Sequence, residues 1–223
     1  MSNIVNDVVE DYIRHTLKDA DGLLKELEVF AEENSVPIVH KEVSDLLKVL
    51  LKMQKPQRIL EVGCAIGYSS ILFATTCEGN VDITTCERNP VMIERAKENI
   101  KRAGFENNIR ILEGDAVEQL KNVEGEFDMI FLDAAKGQYK LFYDLVIDKL
   151  KVGGVLISDN ILYKGMIASD DLVVRRKKTI VKRMRNYLDY ICNCDYLTTS
   201  LLPMGDGVAI SYKDSKRGEN KDA

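Results

Sequence analysis

Over the first fifty residues apolar side chains recur at helical spacing. Ile4, Val8, Tyr12 and Ile13 form one set, and Leu23, Leu24, Leu27 and Phe30 a second. After "ENSVPIV", where Pro37 turns its predecessor away from helical geometry, Val43, Leu46, Leu47, Leu50 and Leu51 form a third. The period then changes. "RILEV" (58–62), "VDITTC" (81–86), "IRILE" (109–113), "FDMIFL" (127–132) and "GGVLIS" (153–158) are short apolar runs bounded by Gly, Pro, Asp or Asn. Helical patterns lie between them, at about 67–76, 89–103, 116–122 and 137–150, and a longer one covers about 170–191. Strands alternating with helices predict βαβ units and a parallel sheet covered on both faces. "YLTTSLLPMGDGVAISYK" predicts two further strands around Met204-Gly205-Asp206-Gly207, an antiparallel hairpin that completes seven strands. The pattern therefore predicts one α/β domain over 1–213, with extra N-terminal helices in 1–53 and a disordered tail over 214–223.

Composition adds bounds rather than detail. The chain has 223 residues, 45% hydrophobic and 30% charged, with a net charge of −5. That is ordinary for one large soluble domain and announces no nucleic-acid binder by charge alone. Five cysteines, an odd count, and an N-terminus without a basic, apolar leader predict reduced thiols, a cytoplasmic protein and no membrane segment. Cys192 and Cys194 form only a C-x-C pair, and His15 and His40 stand apart from other ligand types, so no zinc site is expected.

The first strand runs into "GCAIGYSS", where Gly63 and Gly67 allow a sharp turn and close backbone approach. A dinucleotide fingerprint would need Gly at 63, 65 and 68, but Ala65 and Tyr68 stand there, and no Gly-Lys-Ser/Thr follows for a P-loop. The loop suits a nucleoside without a pyrophosphate, or is merely a tight turn. Glu87 ends the second strand, where an acid can accept both ribose hydroxyls, and Asp115 and Ala116 follow the third. Each acid alone could be a solvated loop residue. Three successive strand ends point to one crevice, because open α/β sheets bind ligands at the carboxyl ends of their strands.

"ILEVGCAIGYSS", "CERNP", "GDA" and "FDMIFLDAAKGQY" resemble the motifs of class I S-adenosylmethionine-dependent methyltransferases, and more narrowly the metal-dependent O-methyltransferases that include the catechol and caffeoyl-CoA enzymes. Within that family, "AEENSVPIVHKE", "LDAAKGQY", "SDNILYKGMIA", "RRKK" and "MGDGVAIS" resemble the bacterial tRNA 5-hydroxyuridine methyltransferases. The resemblance implies a Rossmann-like methyltransferase fold. It implies a donor site that includes Val39, Glu61, Gly63, Gly67, Ser69, Glu87, Asp115, Ala116 and Asp133, with "SVPIV" folded over the methionine end. It also implies a homodimer.

Asp133, Asp159 and Asn160, at the ends of the fourth and fifth strands, form a hard-oxygen set suited to Mg²⁺. By themselves they could be a helix cap and an Asx turn, but the family carries its metal on the matching positions. Lys136 follows Asp133 by three residues, and the resemblance makes it the general base beside the cation. Two neighbouring open positions on the ion suit two adjacent oxygens, as in a catechol or in the 5-hydroxyl and C4 carbonyl of 5-hydroxyuridine. "RRKKTIVKRMR" (175–185) carries seven basic residues in eleven and no acid. It is either a solvated helix face or a phosphate-contacting surface formed by Arg175, Arg176, Lys177, Lys178, Lys182, Arg183 and Arg185, with Lys164 extending it. The expected function is methylation of 5-hydroxyuridine in tRNA. The alternatives are methylation of a small catechol-like phenol, or a non-catalytic nucleoside- or RNA-binding module.

Overall fold

A computed structural model describes residues 4–219. Three helices come first: α1 (Asp7–Thr16), α2 (Gly22–Asn34) and α3 (Lys41–Gln54). β1 (Arg58–Val62), α4 (Tyr68–Thr76), β2 (Asp82–Glu87), α5 (Pro90–Ala103), β3 (Ile109–Glu113), α6 (Ala116–Lys121), β4 (Phe127–Leu132), α7 (Tyr139–Val146) and β5 (Leu150–Ser158) then alternate. α8 (Lys178–Asn193) and the hairpin β6 (Leu197–Leu202) and β7 (Val208–Lys213) complete the chain.

The sheet order is β3-β2-β1-β4-β5-β7-β6, with β1 to β5 parallel and β7 antiparallel to both neighbours. The seven-stranded mixed sheet expected from the pattern is thus present. The central strands β1 and β4 are mostly apolar because both sheet faces are covered. One face carries Val43, Leu47, Phe73 and Phe131 beneath the N-terminal helices and α4, where Phe73 meets Phe131 edge-on at 5.5 Å. The other packs Ile130, Leu132, Phe142, Tyr143, Met184 and Tyr187 under α7 and α8. A register shift between Phe127 and Met129 puts Phe127 on the same side as Ile130 and Leu132.

Two expected helices are shorter than their patterns. In place of 137–150, one-turn 3₁₀ segments at Lys136–Gln138 and Ile147–Lys149 flank α7, and β5 begins at Leu150. In place of 170–191, helix begins only at Lys178: Val173 and Val174 adopt extended backbone between two short 3₁₀ turns. β-Branched side chains favour that conformation. Of the expected tail, Asp214 extends the hairpin by one bond from its N–H to Tyr196 O, and residues 220–223 lie outside the described part.

Candidate active site

The loop after β1 is shaped by contacts that only glycine tolerates at one point. Gly63 has φ +110°, and a Cβ there would stand 2.1 Å from the carbonyl oxygen of Asp133. Asp133 N–H in turn donates to Val62 O, so β1 and β4 leave the sheet backbone to backbone. Gly67, at φ +86°, caps α4. Glu87 pins the loop from β2: one oxygen accepts Ala65 N–H (2.9 Å), and the other accepts Arg88 and Asn89 N–H. Asp115 caps α6 by accepting Val117 N–H (2.9 Å).

These elements enclose a cavity of about 410 Å³ whose wall includes Val39, Gly63, Ser69, Glu87, Asp115 and Ala116. That is room for a nucleoside-sized ligand. Pro37, Ile38 and Val39 cover it from the "SVPIV" segment, and Tyr68 adds an aromatic wall. Tyr68 also donates to Glu28 (2.8 Å), tying α4 to α2. Glu61 and Gly67 stand behind this wall. Glu61 is fully buried; one oxygen accepts the hydroxyls of Ser70 and Thr85 (2.5 Å for Thr85), and the other has no partner. Burial pushes its carboxyl up to about 7.

At one end of the cavity stand Asp133, Lys136 and Asn160. Leu132 and Ser158 are register partners, so Asp133 and Asp159 leave two adjacent strands side by side. Asn160 lies within 3.4 Å of Asp133 Oδ1 through its amide nitrogen. Asp159 is wholly buried; Oδ1 accepts Asn160 N–H (2.7 Å), while Oδ2 has no hydrogen-bond partner. Burial raises the Asp133 carboxyl to about 6, and burial together with the Asp133 charge raises Asp159 well above the carboxylate range. Two crowded carboxyls, one with an orphaned oxygen, beside an amide oxygen form a donor set that fits a hard divalent cation.

Lys136 Nζ donates to Asn160 Oδ1 (2.9 Å) and to Asp206 Oδ2 (2.9 Å). Tyr163 lies beside it, with Nζ 5.1 Å from the ring centroid. Asp206 comes from the β6–β7 turn and was not among the residues expected at the site. Tyr139 was likewise unforeseen. Its buried hydroxyl donates to Asp159 O (2.7 Å) and reaches Leu132 O (3.2 Å), bridging the two strand ends. Only its place within the quoted "LDAAKGQY" marked it, and for Asp206 only the quoted "MGDG".

The basic run packs beside this end. α8 buries Val181, Met184, Tyr187, Leu188 and Ile191 and leaves Lys178, Lys182 and Arg183 exposed, as are Arg175 and Arg176 in the 3₁₀ turn before it. Arg183 reaches Gly137 O (3.4 Å), next to Lys136, and Lys177 Nζ lies 5.7 Å from the Tyr163 ring centroid. Exposed Lys164 lies on the same loop as Tyr163 and donates its backbone N–H to Asp206. Arg185 is committed inward: it bonds Ile167 O (2.9 Å) and Met166 O and pairs with Asp170 (2.7 Å).

Residues 15–214 match the family model described as O-methyltransferase. The chain belongs to the O-methyltransferase family. A caffeoyl-CoA O-methyltransferase from Populus kitakamiensis is 28% identical over 186 residues, covering 79% of this chain and 77% of its own. A catechol O-methyltransferase from Niastella koreensis is 29% identical over 177 residues, covering 77% and 80%. Among solved structures, a Staphylococcus aureus protein assigned provisionally as a caffeoyl-CoA O-methyltransferase is 40% identical, covers 93% of this chain and 98% of its own, and has a TM-score of 0.83. A Podospora anserina methyltransferase with S-adenosylhomocysteine bound shares the fold at a TM-score of 0.85 and 24% identity, covering 94% of this chain and 95% of its own. Family membership carries the S-adenosylmethionine-dependent O-methyl transfer expected from the motifs. Among the described residues no helix is long and apolar enough to cross a membrane.

Proposed function

We propose that this methyltransferase uses S-adenosylmethionine and Mg²⁺ to methylate the 5-hydroxyl of 5-hydroxyuridine in tRNA, at the anticodon wobble position. The observation that carries the proposal is a juxtaposition. A nucleoside-sized cavity, a hard-oxygen set and an exposed basic stretch meet at one rim, where Arg183 touches the turn that holds Lys136.

The chain's own residues supply binding, orientation and a proton acceptor. Glu87 offers carboxylate oxygens to the donor ribose, and the 37–39 segment excludes water above the donor. Asp133, Asp159 and Asn160 would hold the cation, supported by the orphaned Asp159 oxygen. When bound, Mg²⁺ supplies positive charge and Lewis acidity to the acceptor hydroxyl. The bound donor would supply an activated methyl group in line with that oxygen, and Lys136, as the neutral amine, would take the hydroxyl proton. Arg175, Arg176, Lys177, Lys178, Lys182 and Arg183, with Lys164, would contact RNA phosphates; Arg185 would act indirectly by holding the 166–170 segment. A cytoplasmic homodimer belongs to the same proposal. α1 buries no residue and exposes Val8, Val9 and Tyr12, an apolar stripe that a second copy would cover.

A small vicinal diphenol is the second reading, favoured by the names of the curated relatives. Mass spectrometry of tRNA nucleosides from a strain lacking the protein separates the two. Loss of 5-methoxyuridine with accumulation of 5-hydroxyuridine is expected; unchanged tRNA together with turnover of free catechols would replace this proposal by the second reading.

A further inference from the structure

Three contacts converge on Lys136, and one comes from far along the chain. Asp206 Oδ2 accepts from Nζ at 2.9 Å, with the aspartate side chain only 12% exposed and the lysine 24%. The other Asp206 oxygen accepts the backbone N–H of Lys164, and its carbonyl oxygen accepts Leu162 N–H at 2.8 Å. The loop so held is unusual. Asn160, Tyr163 and Lys164 all have left-handed backbone (φ 58°, 47° and 57°), a conformation costly for non-glycine residues unless the surroundings enforce it. Gly207 makes room for that loop, since a Cβ there would stand 2.4 Å from Leu162 Cγ. One carboxylate therefore joins the lysine to the strained loop that carries Asn160 and Tyr163.

We propose that Asp206 is a positioning residue for methyl transfer, locking Lys136 Nζ in fixed relation to the acceptor-side loop. It does not itself line the donor cavity and makes no hydrogen bond to Asp133, Asp159 or Asn160, and it acts through Lys136 and the 162–164 backbone. The inference rests on the reading of Lys136 as the proton acceptor. A proton acceptor is effective only when its atom lies within hydrogen-bond reach of the reacting hydroxyl, and displacement by about 1 Å can cost on the order of a hundredfold in rate.

The test is a double-mutant cycle on the full chain, with Asp206→Asn, Lys136→Met and the two combined. Initial rates are measured with radiolabelled donor on whichever acceptor the parent methylates, tRNA from the strain lacking the protein or a free catechol, and donor affinity by calorimetry. Asp206→Asn should lower kcat about tenfold or more, with acceptor KM and donor affinity within about twofold of the parent. In the Lys136→Met background the same change should add less than about twofold, because its route is already gone. Asp206→Glu, which keeps the charge, should fall between parent and Asn; it replaces Asp206→Asn throughout if that variant no longer binds donor. Normal kcat in Asp206→Asn with an inactive Lys136→Met overturns this inference alone. A loss in Asp206→Asn that is equally large in both backgrounds also overturns it, as a merely structural effect. An active Lys136→Met removes the reading beneath it.

Discussion

Glu61 provides a stability prediction of definite sign. Its carboxyl is wholly enclosed, accepts two hydroxyls on one oxygen and none on the other, and titrates near 7 in the folded chain against 4.5 when free. The folded-state value is raised, so burial of the charged form penalises the native state. The penalty is absent below the unfolded value, grows as pH rises through the interval from 4.5 to 7, and is complete above it. Between pH 5 and pH 8 the linkage relation gives a stability loss of about 2–3 kcal/mol from this group. Glu61→Gln removes the titration while keeping the shape and an acceptor for Ser70 and Thr85. The substituted amide carries its own cost, about 1–3 kcal/mol if its N–H₂ finds no acceptor, but that cost is the same at both pH values. Urea unfolding of parent and variant at the two pH values isolates the effect as a double difference, in which the titration of Asp159 cancels and Asp133 enters only through its repulsion of Glu61. The parent should lose about 2–3 kcal/mol more than the variant on going to pH 8. Parallel behaviour within about 0.5 kcal/mol would refute the assignment and mean that Glu61 keeps its charge or finds water in the fold.

Three further outcomes are expected. Gly63→Ala should destabilise by about 3 kcal/mol or more, since the new methyl meets Asp133 O at 2.1 Å; a melting temperature near that of the parent would contradict the close β1–β4 approach. Glu87→Ala should weaken S-adenosylmethionine binding by about 1–3 kcal/mol in calorimetry, and unchanged affinity would count against the ribose contact. Asp159→Ala should abolish methyl transfer with donor affinity retained, and excess chelator should do the same to the parent; full activity in chelator would end the Mg²⁺ proposal.

The strands β1, β3 and β4 follow the apolar runs residue for residue: β1 and β4 lie in a sheet covered on both faces, which keeps polar positions few, and in the edge strand β3 Ile109, Ile111 and Leu112 mark the run around exposed Arg110. Glu87, Asp115, Asp133 and Asn160 were legible as well, since each stands where an apolar run stops and therefore at the sheet's rim. Glu61 was expected at the donor but belongs to the interior of β1, where a side chain faces a sheet layer instead of the crevice. Asp206 was hidden for another reason. Nothing in the spacing of a hairpin tells which strand it will join, and only its insertion beside β5 brings the turn to Lys136. Tyr139 reads as one more apolar position of α7, because a hydroxyl that bonds to backbone carbonyls has no sequence partner to betray it.

The antiparallel placement of β7 has a consequence during synthesis. When the chain has emerged only as far as Asn160, the donor loop and the oxygen set are already encoded, but β5 is an open edge bearing unpaired backbone groups along "GGVLIS". Such an edge is a template for pairing with another chain. It closes only when β7, the last strand to be made, slides between β5 and β6, and the same event delivers Asp206 to Lys136. Nascent molecules on the ribosome are therefore both adhesive and incomplete until one hairpin arrives. Slowing translation between residues 160 and 200 should raise aggregation without altering the product that escapes it.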